Sequence, residues 1–324
     1  MRKARGAKER GFSLVELMMV TAMLGLVMAA IYSTFLTHQK TAFSQGEVVE
    51  VQHNLRVALD YLSRDLKMAG VLIPTGTTSP IAAAAGSPAF PTYSSSIALN
   101  TASAEGRLAR IEGAPVINTP ATSMTLSVEA PAKADTPNIV DGFAIGDNLR
   151  LIRPVDGSQP LTGTKSLLVT NASGNPSRGV FGTTAPSITV SKSDGTSFTA
   201  GDAISSDMLA KVADAGTYPM TVRYYLVNSE DPPVSGFACP ANQKCLVRQV
   251  NGEGGPAEII ATNIASLRFS YLNDSYGEAV VPTDLAAIRA VRITVQGTTA
   301  RTTVLSGGAK LRTATTLVKL RNRR

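Results

Sequence analysis

One carboxylate lies inside an apolar run near the start of the chain, and its position suggests that it pairs with another charged group. The run begins at Phe12, and Glu16 is its fifth residue. A charge within a membrane-spanning helix costs about 2.5–3.5 kcal/mol on insertion scales. A plain membrane anchor has no need of such a residue, so Glu16 indicates a partner of opposite charge.

The residues on either side of Glu16 predict a membrane-spanning helix that follows a removable basic leader. Residues 1–11 carry five cations and one anion, and the 21 residues from Leu17 to Thr37 carry no charge. As a helix, that stretch would cross a hydrocarbon core of about 30 Å. The excess of Lys and Arg before it predicts a cytoplasmic N-terminus and an exported remainder. Because the small residue Gly11 precedes the apolar run, cleavage there would remove the leader and keep the helix.

The junction around Gly11 resembles the class III signal of type IV prepilins and type II secretion pseudopilins. The matching residues are Lys8-Glu9-Arg10-Gly11-Phe12-Ser13-Leu14-Val15-Glu16-Leu17. In that family a membrane aspartyl peptidase cuts after the glycine and N-methylates the new terminal residue. The resemblance implies that cleavage falls between Gly11 and Phe12, that Phe12 is methylated, and that Glu16 is the assembly glutamate. The partners it implies are the prepilin peptidase, other minor and major pilins, the inner-membrane assembly platform, and membrane lipid before assembly.

Cleavage after Gly11 would give Phe12 a free ammonium group at the end of an apolar helix. A buried ammonium and a buried carboxylate are each unfavourable alone, and pairing offsets much of that cost. Glu16 lies about one helical turn from Phe12, so pairing within one chain is one alternative. Pairing with Phe12 of a neighbouring subunit is the other, and it would set the axial stagger between helices in a filament.

A second helical pattern follows the apolar run. From Glu47 to Ala69, apolar residues recur at steps of three and four, as on one face of an amphipathic helix. Gly70 is a suitable C-terminal stop. The segment Arg56–Gly70 is similar to one in PilW-like minor pilins and, more loosely, to one in J-type pseudopilins. We therefore expect a cytoplasmic prepilin leader at residues 1–11, a membrane-spanning or filament-core helix at 12–37, and its amphipathic continuation at 38–70.

Residues 71–324 are long enough for an exported globular domain with a substantial core. The part near 75–122 is rich in Ala, Ser, Thr, Pro and Gly, which predicts a loop. Farther on, β-favouring runs alternate with turn residues, as in an antiparallel sheet. Two fragments, Phe143–Asp147 and Phe198–Asp202, share the form F-x-x-G-D. They are either two equivalent turns or a coincidence of sequence. The candidate strands are Met124–Glu129, Asn148–Arg153, Ser166–Thr170, Ser187–Ser191, Met220–Val227, Leu246–Val250, Ile264–Leu272, Ala290–Gln296 and Thr315–Leu320.

The chain has only two cysteines, Cys239 and Cys245, separated by five residues. Their spacing and the predicted export favour a small disulfide loop between strands. A zinc site would need further soft ligands, and the only histidines, His38 and His53, lie far upstream on the helical segment. We therefore predict no metal site and no cofactor. The shortage of histidine also leaves no Ser-His-Asp arrangement, which argues against an enzyme.

The formal net charge of +7 depends mostly on the leader. With five cations and one anion, the leader accounts for +4, which leaves about +3 for the mature chain. A charge this small removes most of the argument for nucleic-acid binding that the high isoelectric point would otherwise support.

These patterns predict an α+β fold of the type IV pilin-like kind. Its long N-terminal α-helix, membrane-spanning in the first half, is expected to pack against an antiparallel β-sheet domain. The function predicted is a structural, non-enzymatic minor pilin that takes part in initiating type IV pilus assembly, with a place at the tip. The chain would cross the inner membrane once, N-terminus inside and C-terminal domain outside, before joining the filament. The alternatives are a J-type pseudopilin of a type II secretion pseudopilus and a DNA-binding pilin for DNA uptake.

Overall fold

A computed structural model gives the fold of most of the chain. It describes residues 12–73, 79–82, 95–103, 107–129, 142–153, 167–173, 186–212, 218–234, 236–250, 257–275, 277–282, 284–285, 287–299 and 309–320. The Ala82–Ala85 run of the predicted loop therefore lies largely outside the described residues, as does the leader.

A single helix, α1, runs from Leu14 to Met68 and spans 55 residues. No proline interrupts it, and the space around Gly25 and Gly46 is open, so neither glycine marks a close contact. The helix ends as its sequence predicts, because Gly70 has a positive φ of 80° and donates its backbone N–H to the Asn100 carbonyl at 2.8 Å. The part of α1 up to Glu50 belongs to one compact unit of the chain, and the part from Val51 onward belongs to a second.

Fifteen strands follow the helix in the described residues. All nine predicted strands are present, with ends shifted by a few residues. In chain order the fifteen are β1 Ile97–Thr101, β2 Leu108–Arg110, β3 Val116–Ile117, β4 Ser123–Ser127, β5 Asn148–Ile152, β6 Leu167–Ser173, β7 Ser187–Lys192, β8 Met208–Val212, β9 Met220–Asn228, β10 Lys244–Val250, β11 Ala257–Ala261, β12 Ile264–Asn273, β13 Glu278–Ala279, β14 Ile288–Thr298 and β15 Leu311–Lys319.

Two four-stranded antiparallel sheets share a core with the second half of α1. The first has the order β1-β9-β10-β11 and the second the order β13-β12-β14-β15. Alternate residues of each strand point to the helix, as period-two patterns require. The helix contributes Val51, Leu55, Ala58, Leu62 and Leu66, all fully or almost fully buried. The α+β class and the packing of a long helix on antiparallel sheet are thus confirmed.

A third sheet lies in the chain between β1 and β9 and closes on itself. Its seven strands have the order β2-β8-β5-β6-β7-β4-β3. Closure occurs where Ile111, just after β2, forms an antiparallel bridge with Val128, just after β4. Fifteen buried residues, among them Phe143, Leu149 and Phe198, form a core of its own. We call this part of the chain, from β2 to β8, the closed insert.

The Ala-, Ser- and Pro-rich region differs from the prediction of a loop near 75–122. Its described part contains β1, β2 and β3, and Ile97 and Leu99 of β1 are almost fully buried. Composition misled the prediction here because Ala, Ser and Thr are compatible with a strand whose partners lie far away in the sequence. The short strands β8, β11 and β13 were likewise not predicted.

The two F-x-x-G-D fragments, Phe143–Asp147 and Phe198–Asp202, form equivalent turns. In both, the aspartate carboxylate accepts the backbone N–H three residues earlier, at 2.8 and 2.9 Å. The aspartate N–H donates back to the carbonyl of that residue, at 3.1 and 3.2 Å. The glycine before it has a φ of 93° in one turn and 92° in the other, which explains why that position is glycine.

Each of these turns is also held by a lysine. Lys211 contacts Asp147 at 3.0 Å, and Lys192 contacts Asp202 at 2.7 Å. Burial by itself would raise the pKa of Asp202, but the hydrogen bonds from Lys192 and Thr199 outweigh it and lower that pKa below its ordinary value. The F-x-x-G-D form therefore marks the same lysine-bound turn at two places in the closed insert.

Candidate functional site

The start of α1 places Glu16 in the first turn of the helix. Leu17 donates its backbone N–H to the Ser13 carbonyl at 3.1 Å, so Ser13 occupies the N-cap position, where serine is a favoured residue. Serine at the N-cap and glutamate three residues later have the spacing of a capping box. A carboxylate in the first turn also interacts favourably with the helix dipole. The sequence contained this signal, but the prediction for Glu16 was an ammonium partner and did not include a helix cap.

The residues that follow present an uncovered apolar surface. Large apolar side chains from Phe12 to Ile31 are between 51% and 81% exposed. By length and composition α1 contains a stretch that could cross a membrane, and no residue of that stretch is buried. An apolar surface of this extent is the mark of a membrane or protein contact.

Threonine hydroxyls within the apolar surface are satisfied by the helix itself. Thr21 donates to the Leu17 and Met18 carbonyls at 3.0 and 2.9 Å, and Thr34 donates to the Ala30 carbonyl at 3.0 Å. A hydroxyl bonded to the preceding turn needs no water, so it is compatible with a lipid or protein environment. The helix therefore presents hydroxyl-bearing residues without presenting unsatisfied donors.

A buried polar cluster fixes the second half of α1 to the first sheet. Asp65 of the helix accepts a hydrogen bond from the Tyr224 hydroxyl at 2.6 Å and one from Arg248 Nε at 2.7 Å. Arg248 also reaches Glu258, at 3.4 Å on the surface side. Burial is the largest cause that raises the pKa of Tyr224 well above its ordinary value, and the negative charge of Asp65 is the next largest. The Tyr224 hydroxyl therefore stays protonated and donates its hydrogen bond.

The three members of this Asp65–Tyr224–Arg248 cluster come from three separate segments of the sequence. Asp65 lies in the segment Arg56–Gly70, Tyr224 lies on β9, and Arg248 lies on β10. Sequence reasoning considered only the apolar face of the second half of α1 and so did not single out Asp65. The cluster has the geometry of a structural clamp, since Asp65 accepts from both Tyr224 and Arg248 and so joins the helix to two strands of the first sheet.

The two cysteines lie at the β9–β10 hairpin. The structure joins Cys239 and Cys245 by a disulfide with a Cα–Cα distance of 5.9 Å. Cys245 is the second residue of β10 and is fully buried, and Val227 of β9 packs against the same small apolar cluster. The bridge thus closes a small loop, residues 239–245, where the connection between two central strands of the first sheet enters β10.

The predicted site residues form two groups. Phe12 and Glu16 lie together at the start of α1, and Cys239 and Cys245 lie together at the β9–β10 hairpin. Gly11 lies outside the described residues. Among the residues that are described, no group of three His, Cys, Asp or Glu side chains could hold a metal ion.

Comparison with known proteins adds one finding about the N-terminal end. Residues 6–32 match the family model described as the prokaryotic N-terminal methylation motif. No curated protein and no solved structure matches the chain. The matched residues include the basic leader's last part, the Gly11–Phe12 junction and Glu16. The motif implies processing by a prepilin peptidase and assembly with other pilins, and it indicates a type IV pilin- or pseudopilin-like protein.

Proposed function

We propose that the mature chain is a structural, non-enzymatic minor pilin, PilW-like in kind, that starts type IV pilus assembly and stays at the tip. The observation that supports the proposal is that the two halves of α1 differ in how far their apolar side chains are buried. From Phe12 to Ile31 its apolar side chains are uncovered, while from Val51 to Leu66 one face is buried under two sheets. One helix can therefore serve as a filament contact at one end and as the core of a globular domain at the other.

The size of the globular part supports a low copy number. Besides the two sheets that cover α1, the chain carries the closed insert with its own apolar core. A subunit that carries this extra material is difficult to repeat at every position of a densely packed filament. At a tip, by contrast, a subunit has neighbours on one side only, so the insert meets no restriction of space.

We assign the N-terminal chemistry residue by residue. A membrane peptidase would hydrolyse the peptide bond between Gly11 and Phe12, releasing the leader at residues 1–11, and a methyl group would then be transferred to the Phe12 nitrogen. Glu16 would pair with that nitrogen, on the same chain or on a neighbour, which removes the cost of two unpaired charges in an apolar surrounding. The chain would then consist of a membrane-spanning part at 12–37, its continuation at 38–70 and an exported domain at 71–324.

Deletion of the gene, with surface pili counted and type II secretion assayed in the same strain, tests this function. Loss of pili with normal secretion is the expected result, and restoration by the plasmid-borne gene is the control. Normal pili with defective secretion would contradict the minor-pilin assignment and favour a J-type pseudopilin.

A further inference from the structure

The outer face of the second sheet, the face away from α1, contains an open groove with a volume of about 720 Å³. Strands β12, β13 and β14 contribute most of its lining, and Ser95, Leu226 of β9 and Lys244 of β10 also line it. The inward residues of β12, such as Leu267 and Phe269, are buried against the core. The charged and hydroxyl side chains of the groove come from the residues that alternate with these along the strands.

The charges in the groove are unbalanced. Three cations line it, namely Lys244, Arg268 and Arg292, against the single carboxylate of Glu278. Arg292 is already engaged, since its Nε and NH2 groups donate to the two Glu278 oxygens at 2.9 and 3.2 Å. Within the described parts of the chain, Lys244 and Arg268 are exposed and have no ion-pair partner. Two cations are thus available to a ligand.

Hydroxyl groups cover much of the rest of the floor. Ser266, Ser270 and Thr294 point into the groove, and Ser270 donates a short hydrogen bond to Glu278. Thr294 shares a hydrogen bond of 3.3 Å with Thr315 on β15. Groups that can both donate and accept are suited to the alternating donors and acceptors of a peptide backbone.

The strand register sets the spacing of the two arginines. Arg268 stands opposite Thr294, and Arg292 stands opposite Ser270. The arginines are therefore diagonal neighbours, whose separation in an antiparallel pair is about 7–8 Å. Alternate residues of an extended peptide lie about 6.6–6.8 Å apart and point the same way. Carboxylates at alternate positions of an extended chain would match this spacing.

We propose that this groove binds an extended acidic peptide segment of a partner protein, with carboxylates at alternate positions. Arg268 would hold one carboxylate, and Arg292 would hold the next when the ligand displaces Glu278 from it. Lys244 would add a further cationic contact. A nucleic acid fits less well, because two available cations can neutralise few phosphates and Glu278 would face the backbone. The inference concerns the globular part of the chain and does not depend on which filament the chain joins.

The test uses the full-length protein, purified in a non-ionic detergent, and a fluorescent decapeptide of alternating Glu and Thr. Binding is followed by fluorescence anisotropy at low and at physiological salt. Matched peptides of alternating Gln and Thr, and of alternating Lys and Thr, serve as ligand controls. We expect the acidic peptide alone to bind, and we expect its affinity to fall as salt rises.

Two variants change the affinity in opposite directions. The double change Lys244→Ala with Arg268→Ala should weaken binding about tenfold, because it removes two solvent-exposed ion pairs with the ligand. Glu278→Gln should tighten binding about two- to fivefold, because it frees Arg292 and removes a like charge. Lys67→Ala with Arg110→Ala removes two exposed cations elsewhere and should leave binding unchanged.

Three results would overturn the proposal. The first is equal binding of the acidic and the Gln-containing peptides by the unaltered protein. The second is an unchanged or weakened affinity in Glu278→Gln, which is exposed and therefore not expected to affect folding. The third is tighter binding of a short DNA duplex than of the acidic peptide, with the same loss in the Lys244 and Arg268 variant, which would assign the groove to a different polyanion.

Discussion

Replacing Asp65 by alanine should destabilise the protein far more than the loss of one helix charge would suggest. The Asp65 side chain is 8% exposed and accepts hydrogen bonds from Tyr224 and Arg248. Without it, the Arg248 guanidinium, itself 13% exposed, loses its 2.7 Å contact with a carboxylate, while Glu258 stays at 3.4 Å. Breaking a buried ion pair in this way costs about 3–5 kcal/mol, because an uncompensated charge is left behind. Since Glu258 compensates part of that charge, we expect a loss of about 3–4 kcal/mol.

Three companion variants separate the contributions within the cluster. Tyr224→Phe removes one hydrogen bond and should cost about 1–2 kcal/mol. Glu258→Ala removes a carboxylate whose side chain is 55% exposed and should cost less than about 1 kcal/mol. The combined change Asp65→Leu with Arg248→Met removes both charges together, so most of the stability lost in Asp65→Ala should return.

The assay is urea unfolding of the full-length protein in mild detergent, followed by far-ultraviolet circular dichroism. The free energy of unfolding of each variant is compared with that of the unaltered protein. The comparison requires that the slope of this free energy against urea concentration is the same for both proteins. Two results would refute the reasoning. One is a cost for Asp65→Ala no larger than that for Glu258→Ala. The other is a combined Asp65 and Arg248 variant that is less stable than Asp65→Ala alone.

The remaining predictions concern three other places in the chain. Glu16→Ala should leave membrane insertion and leader cleavage intact but reduce incorporation into filaments, as measured by immunoblots of sheared filaments and membranes. Gly297→Ala should cost about 1–3 kcal/mol in the same urea assay, because an added Cβ would lie 2.6 Å from a Val51 methyl group of α1. Cys239 and Cys245 should show no free thiol in the exported, unreduced protein, and reducing them should lower its stability by about 2–4 kcal/mol.

Each of these has a matched control. Glu47→Ala removes a carboxylate from the same helix outside its first turn and should leave incorporation normal; equal defects in both variants would contradict a special role for Glu16. Gly46→Ala adds a methyl group where the space is open, so it should be neutral or slightly stabilising. A thiol assay that finds two reduced cysteines in protein taken from the periplasm would contradict the disulfide.

The parts of the fold that could be predicted are those with a strong local pattern. The long helix was predictable because apolar residues first run together and then recur at helical spacing up to Gly70, with no proline between. The longer strands were predictable because their inward residues alternate with outward ones, as in β12 and β14. In each case the signal is local, because it lies in the consecutive residues of the element itself.

The parts that could not be predicted depend on contacts between distant residues. Strand β1 is too short and too poor in large side chains to be recognised until its partner β9 is known. The bridge between Ile111 and Val128 that closes the insert follows from the curvature of seven strands. Asp65 looked like one more exposed charge, because the helix pattern does not show that an arginine and a tyrosine from two strands reach it.

The position of the closed insert has a consequence for the order of folding. Thr101 at the end of β1 pairs with Met220 at the start of β9, although roughly 120 residues of chain separate them, and joining such distant ends costs about 4 kcal/mol in loop entropy. Once the insert has folded, Leu108 of β2 pairs with Ala210 of β8, so the ends are already close. The two short connections that remain cost about 2 kcal/mol less to close.

We therefore expect the insert to fold before the first sheet and to lower the entropic barrier to its assembly. Hydrogen-exchange pulse labelling during refolding should show amides of β5 and β8 protected earlier than those of β1 and β9, and the opposite order would contradict this sequence of events. In this way the closed insert reduces the loop entropy that must be lost before β1 and β9, on either side of it in the sequence, can pair.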